Sequence, residues 1–466
     1  MRKSYFLISV TIAILGMMSC GKNLDVIPTQ SIEQEASLQT PRDIEAYMIG
    51  CYDGIQGTNT NGNTFAGGFQ YTSELLGHTQ LGEVRFAGTF ANLLELITKT
   101  TTTINSTAEG QWVQAYIIIN RCNTVIANID KADPAKKTRI EAEARFLRGA
   151  LYFELTRLFA KQWGDGDNNT NPSIPLILSP TKVISDESSQ PRASVAAVYA
   201  QAISDLTAAS AGLPVANSVY ANKGAAQGML ARLYLQQGDF AKARNMADSV
   251  ILSNRYRLVT PFSAAFNTKL YNGGANPAEY IFAAQTSDQD GFNGMNTFFS
   301  TTISAIPGTA GRGDIRILAA HKSQYDAIDD RGKFFIKPSA TSTNEFTNKF
   351  IDRFGNVVVL RLAEMYLIRA EGNFRLNESK GDTPLNDINR LRTRANATSL
   401  TSAQLTLDAI LKERRLELAF EGHRLHDIKR VKGTVGTLPW NDNKLVLPIP
   451  QREIDVNKKL TQNPGY

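Results

Sequence analysis

Residues 222–253 read as two amphipathic runs hinged on one turn, and no other stretch restricts the fold as tightly. Leu230, Ala231 and Tyr234 recur at helical spacing, Gly238-Asp239 breaks the run, and Ala243, Ala247 and Val250 resume the same period. Small residues at Ala231 and Ala243 let two antiparallel helices approach closely, with Tyr234 expected to fill the groove between them. A hairpin of this kind cannot bury its apolar face alone. It therefore calls for neighbours of the same sort.

Such neighbours are present on both sides. A helical stretch covers 41–56, and "QWVQAYIIINRCNTVIANI" gives another from Gln111. A longer helix follows over 133–160, with Asp133 as its N-cap and Pro134 at the first helical position. Its apolar face runs Ile140, Ala144, Leu147, Leu151, Leu155 and Leu158. Helical patterns return at 193–213, at 361–376 with 384–396, and again over 406–430. The fold expected is mainly α, with tetratricopeptide-like helical pairs before residue 255 and after residue 355.

Two segments lack that period. Residues 57–109 are rich in Gly, Asn and Thr and are expected as a loop insertion within an N-terminal helical region over 41–254. Residues 255–355 form a second, loop-rich insertion before a C-terminal helical region over 356–466. Loops this long inside a compact domain usually carry function, and repeat scaffolds tend to gather their insertions on one binding face.

The N-terminus points to export. Arg2 and Lys3 precede an apolar run from Phe6 to Met18 that ends in Ser19-Cys20, the layout of a secretory signal over 1–19. The run is too short for a comfortable membrane span of roughly 20 apolar residues. Met17-Met18-Ser19-Cys20 resembles a bacterial lipobox, which implies lipidation of Cys20 and a tether over 20–40. Plain secretion with a cut nearby is the alternative. Cys51 and Cys122 stand in no metal-type spacing and read as buried unpaired thiols, with a disulfide between them left open. The net charge of +6 is spread without a Lys/Arg block, so nucleic acid is not an expected partner.

Several stretches in order carry a family resemblance. Cys20 is followed by Leu24-Asp25 and Pro28, then come "RFLRGALYFELTRLFA", "EYIFAAQ" and "YDAIDDR". "RLAEMYLIRAE", "ERRLELAFEGHRLHDIKR" and "LPIPQREIDVNKKLTQNPGY" complete the set. Together they resemble the SusD/RagB family of outer-membrane nutrient-binding lipoproteins. The resemblance implies helix pairs supporting a loop-rich ligand-binding region, a surface-exposed lipid anchor in the outer membrane, and a SusC-like TonB-dependent transporter as partner. It implies capture of oligosaccharide or polysaccharide, or of peptides as in some members, with no cofactor and no enzyme activity.

A hydrolase needs paired carboxylates or a nucleophile elbow, and no spacing here marks either; a pure interaction scaffold is the other alternative. His423 and His426 stand at i,i+3 and would suit zinc only with a third ligand such as Glu421 or Asp427. Asp165, Asp167 and Asn169 copy the start of a calcium loop, but Thr170 replaces its glycine and Leu176 its final glutamate. No metal site is expected. The charged stretch at 413–430 reads instead as one helix. Leu407, Leu411, Leu418, Leu425 and Ile428 would line one side, and Arg414–Glu417, Glu421–Arg424, Arg424–Asp427 and Asp427–Arg430 would pair at i,i+3. Gly422 would mark a break or a close approach.

Glycan capture needs a flat aromatic surface flanked by hydrogen-bonding groups. Trp112, Trp163 and Trp440 all lie outside the two insertions, so the tryptophan arc that the resemblance implies for starch-binding members is absent or replaced by Phe and Tyr, which weakens the glycan reading and keeps peptide capture open. The candidates are Arg85, Phe86 and Phe90 in the first insertion, with Phe292, Asn293, Phe298 and Phe299 in the second. For any one ring, local packing is the favoured alternative.

Overall fold

Thr40 opens the first helix, α1 (Pro41–Gln56), through a reciprocal cap. Its hydroxyl accepts from the Asp43 backbone N–H, and the Asp43 carboxylate accepts from the Thr40 N–H at 2.7 Å. The computed structural model describes residues 38–57, 64–182, 188–271 and 273–466. The signal over 1–19, Cys20 and most of the tether lie outside the described residues.

Residues 57–109 differ from the loop that their composition suggests. They hold α2 (Gly68–Gly77) and α3 (Ala91–Thr98). Every residue of α2 is buried, so this helix has no polar face and leaves no amphipathic period in the sequence.

The repeats begin with α4 (Ser106–Ala127) and α5 (Lys137–Phe159), and continue through α6 (Val195–Gly212), α7 (Lys223–Gln237) and α8 (Phe240–Leu252). Helix α5 starts at Lys137 rather than Pro134. Asp133 instead leads the preceding turn, its carboxylate accepting from the Ala135 N–H at 2.9 Å. The predicted apolar face of α5 is wholly buried. Ala231, Ala243, Ala247 and Val250 are fully buried where α7 meets α8, while Tyr234 stays half-buried, with the Lys242 ammonium 5.3 Å from its ring. Cys51 and Cys122 are both free and buried.

Each helix packs on its neighbour from α4 to α8, with α1 against α4. The chain then leaves the superhelix for the 255–355 segment, whose described part holds short strands and α9 (Gly294–Phe299). It returns in α10 (Leu362–Leu376), α11 (Pro384–Arg394), α12 (Leu407–Glu417) and α13 (Arg424–Arg430). Helix α10 packs directly on α8, so the repeats are continuous in space although split in sequence. Gly372 allows that contact, since a Cβ there would stand 2.8 Å from the Arg244 Cβ and 2.9 Å from the Phe240 carbonyl.

Two antiparallel ribbons tie the insertions down. Strand β1 (Val84–Phe86) pairs with β3 (Ile315–Ile317), and β2 (Tyr280–Ala284) pairs with β4 (Val357–Arg361), which runs straight into α10.

The 413–430 stretch is two helices. The chain turns between α12 and α13 through Phe420 and Gly422, at φ of 66° and 87°. Only one of the four expected i,i+3 pairs forms, Asp427 with Arg430 at 2.7 Å. Arg414 reaches Asp427 at 2.9 Å, Arg424 lies 3.6 Å from Glu83, and Glu421 meets Arg361 and Lys349. The break accounts for Glu421 and Arg424, which fall on either side of it, and it brings Arg414 of α12 onto Asp427 of α13 in place of their expected partners. Within α12, Ile410 and Leu416 take buried places while Leu407 and Leu411 are only half-buried.

Candidate functional site

Strand alternation sets the first part of the candidate face. In β1 the Val84 and Phe86 side chains turn inward and Arg85 turns out, opposite Arg316 of β3. Beyond the strand, Phe90 lies half-buried beneath the guanidinium of Arg312, 4.6 Å from its ring centroid. Arg312 is fixed from behind by Asp314, its Nε donating at 3.0 Å. Phe90 in turn meets Phe298 edge to face at 5.7 Å.

The second part lies around the start of α9. Asn293 caps this helix by accepting from the Asn296 N–H at 2.8 Å, and its amide donates to the Gly355 carbonyl at 2.8 Å. That bond joins the 290s loop to the turn at 352–356. It leaves Phe292 37% exposed, against Phe354 at a ring separation of 5.7 Å. The Arg353 guanidinium covers both rings, 4.9 Å from Phe292 and 5.2 Å from Phe354. Helix α9 links the two parts, since Phe292 immediately precedes it and Phe298, near its end, touches Phe90. Its six residues span about 9 Å.

Of the seven candidates from sequence, Arg85, Phe90 and Phe292 reach the surface. Phe86, Asn293, Phe298 and Phe299 are buried. Phe298 packs on Tyr71 at 5.0 Å and Phe299 on Phe420 at 5.8 Å, so these rings anchor the insertion to α2 and to the α12–α13 turn. Arg312, Arg353 and Phe354 belong to the exposed face and were not singled out by sequence. The adjacent Arg353-Phe354 was legible as a dipeptide, but its partner lies 62 positions away, where spacing carries no signal.

The histidines stand elsewhere. The Arg414 guanidinium donates to His423 Nδ1 at 3.2 Å, which occupies the lone pair a metal would need. His426 is buried with the positive charges of Arg157 and Lys429 nearby, a setting that repels a cation. Burial drives both imidazoles well below their ordinary range, and takes His78 down to about 4 and His321 to about 3. All four are neutral at pH 7. In the 164–171 turn the Asp167 carboxylate accepts from the Asn169 backbone N–H at 2.9 Å and from its amide, so its role is in the turn itself. Among the described residues no group of three or more His, Cys, Asp or Glu is arranged around a metal position.

Two family models match the chain, the SusD family over residues 331–466 and a family described as starch-binding, associating with the outer membrane, over residues 22–235. The chain belongs to the SusD family. SusD-like protein P2 of Formosa agariphila is 27% identical, over 98% of this chain and 99% of that one. A SusD superfamily crystal structure from Bacteroides thetaiotaomicron superposes with a TM-score of 0.78 at 23% identity, covering 91% of this chain and 100% of the other. Surface glycan-binding protein A from Bacteroides uniformis superposes with a TM-score of 0.75 at 22% identity, over 91% and 99% of the two chains. The SusD fold accounts for the helical pairs.

Proposed function

We propose that this protein is a cell-surface lipoprotein that captures extracellular oligosaccharide and passes it to a SusC-like TonB-dependent transporter in the outer membrane. The lipid on Cys20 would hold it there, since each buried methylene contributes about 0.8 kcal/mol and one residue carries several chains. Membership of the SusD family and the likeness to a surface glycan-binding protein support the ligand class. The single observation that carries the reading is the exposed platform of Phe292, Phe354 and Arg353. A sugar's C–H face packs on such rings, and the guanidinium donates to its hydroxyls without competing for a proton. Arg85, Phe90 and Arg312 extend the same chemistry. The mechanism is capture and hand-off, with the helical pairs docking on the transporter and no covalent step.

Calorimetry and a glycan and peptide array on the form lacking residues 1–20 test this. Neutral oligosaccharides are expected to bind, and Phe292→Ala to weaken them about tenfold, roughly 1.4 kcal/mol. Binding of peptides with no glycan retained would overturn the ligand class. Unchanged affinity in Phe292→Ala would remove the platform from the site.

A further inference from the structure

A cleft of about 270 Å³ lies between the 218–222 turn that leads into α7, the chain just after α8, and β2 with its lead-in from Asn276. Two tyrosines line it, and each is held in place. The Tyr220 ring packs on Tyr52 at 4.6 Å, and the Tyr256 hydroxyl donates to Asn222 Oδ1 at 2.7 Å. Gly224 leaves room for that hydroxyl, since a Cβ there would stand 2.5 Å from it. Val219 and Pro277 add apolar edges, and no carboxylate lines the cleft.

Two asparagines of the lining are fixed end for end, with the nitrogen left over. Asn222 caps α7, where its Oδ1 accepts from the Ala225 N–H at 3.0 Å as well as from Tyr256, so Nδ2 is the free end. The residue is 5% exposed, yet Nδ2 is not sealed in protein and makes no bond among the described residues, so it opens on the cleft. On the β2 side, Asn276 Oδ1 accepts from Asn356 Nδ2 at 2.8 Å. The Asn356 amide is itself oriented by the Thr286 N–H, which its Oδ1 accepts at 2.9 Å, so Asn276 too is left with its nitrogen free. Tyr256 Oη has given its proton to Asn222 and keeps its lone pairs for an incoming hydroxyl. Arg255, exposed, adds a guanidinium.

We propose that this cleft holds one ring of a neutral glycan, as a further subsite beside the Phe292 platform; the inference rests on the glycan reading above. A sugar hydroxyl both accepts and donates, which matches two amide nitrogens set with a tyrosine oxygen. An anion would find one charged partner, solvated and screened, and a cation would find no carboxylate. An apolar ligand would strand both amides. The volume lies just under the ~300–1,000 Å³ of larger small-ligand sites, which leaves room for a single sugar ring. Platform and cleft are linked through one turn. Phe354 of the platform and Asn356, which holds Asn276, are two residues apart, at most about 7 Å of chain. The two places are therefore neighbours within reach of one oligosaccharide, and engaging both raises affinity over either alone.

Calorimetry on the form lacking residues 1–20 uses neutral hexasaccharides of glucose, mannose, galactose and xylose, with hydrogen exchange on the complex that forms. Exchange is expected to slow over the 218–222 turn and the 276–279 lead-in as well as around Phe292. Asn222→Ser with Asn276→Ser removes both amide nitrogens while a serine still caps α7. That double variant is expected to bind at least fivefold more weakly, with its melting temperature little changed. Unchanged affinity in the folded double variant, or unchanged exchange over both segments in the complex, overturns the cleft. If Phe292→Ala still weakens binding in either case, the platform reading stands without it. Binding of none of the four hexasaccharides overturns the cleft, and the wider glycan and peptide array then decides the platform separately. If the double variant does not fold, the exchange measurement on the parent decides alone.

Discussion

Arg361 Nη1 lies 2.6 Å from Glu417 Oε1, and neither side chain reaches solvent. The contact joins the start of α10 to the end of α12. Glu417 also accepts from Arg394 and, at 3.0 Å, from Arg331 of the insertion, so three buried guanidiniums share this carboxylate, with Glu279, Glu421, Glu413 and Asp329 supplying further negative charge. Burial alone would raise its pKa. Arg394, Arg361 and Arg331 outweigh that and hold it well below the usual carboxylate range. Replacing one member of such a cluster leaves uncompensated buried charge, which costs about 3–5 kcal/mol. Glu417→Gln is therefore expected to lose at least about 3 kcal/mol in urea unfolding. A loss under about 1 kcal/mol would show that the cluster relaxes or admits water.

Acid should destabilise the protein before its carboxylates titrate. The four buried histidines are held below their ordinary 6.5, whereas the unfolded chain protonates them near that value. The unfolded state thus takes up more protons as pH falls through 6.5. The contribution is complete above about pH 7 and is lost progressively toward about pH 4. Asp387, which burial raises to about 6 despite Arg369, works in the opposite direction and offsets part of this. His426→Leu is expected to flatten the dependence of stability on pH near pH 5 by about 1.4 kcal/mol per pH unit. Urea titrations at pH 7, 6 and 5 read this directly, and an unchanged slope would mean that His426 protonates in the folded state.

The sequence was legible wherever a helix has one wet face. Helices α4 and α8 each separate polar from apolar sides, so their period survives in the chain; α5 and α7 are buried almost throughout and were legible instead from Leu and Ala recurring at three and four residues. Helix α2 was missed because it is buried all round. The charged stretch was misread for a different reason: its spacing was taken on one helix, and the turn at Gly422 sends Glu417, Glu421 and Arg424 to partners far along the chain. At the candidate face the residue types were readable but their exposure was not. Phe292 and Phe298 share the same Gly- and Asn-rich surroundings, and only the contacts of Tyr71 and Phe90 with Phe298 separate a core ring from a surface one.

That separation has a measurable form. Phe298→Ala removes a ring that is 1% exposed and should destabilise the fold by about 3–5 kcal/mol. Phe292→Ala, at an exposed position, should change stability by under about 0.5 kcal/mol while weakening oligosaccharide binding. Thermal melts paired with calorimetry check both. If Phe292→Ala lowers stability as much as Phe298→Ala does, the exposed ring is a packing element and the platform loses its carrying observation.

Gly422 offers the sharpest test of how the two ends of the chain are joined. Its φ of 87° lies where side chains are disfavoured, and a Cβ there would stand 2.6 Å from the Gln70 Cα and 2.9 Å from the Gln70 Cβ. Close by, the Glu74 carboxylate receives the Gly422 and His423 N–H groups at 2.8 and 3.1 Å, so α2 is seated on the turn by both shape and charge. Left-handed strain costs about 1–3 kcal/mol, and the backbone clash with α2 adds to it. Gly422→Ala should therefore lose more than about 2 kcal/mol and speed hydrogen exchange in α2 and α13 before the rest of the superhelix. Glu74→Gln keeps the shape but removes the charge, and should lose about 1–3 kcal/mol without displacing α2. A Gly422→Ala variant as stable as the parent would mean that α2 shifts freely, and the tight seat between residues 70 and 422 would not exist in solution.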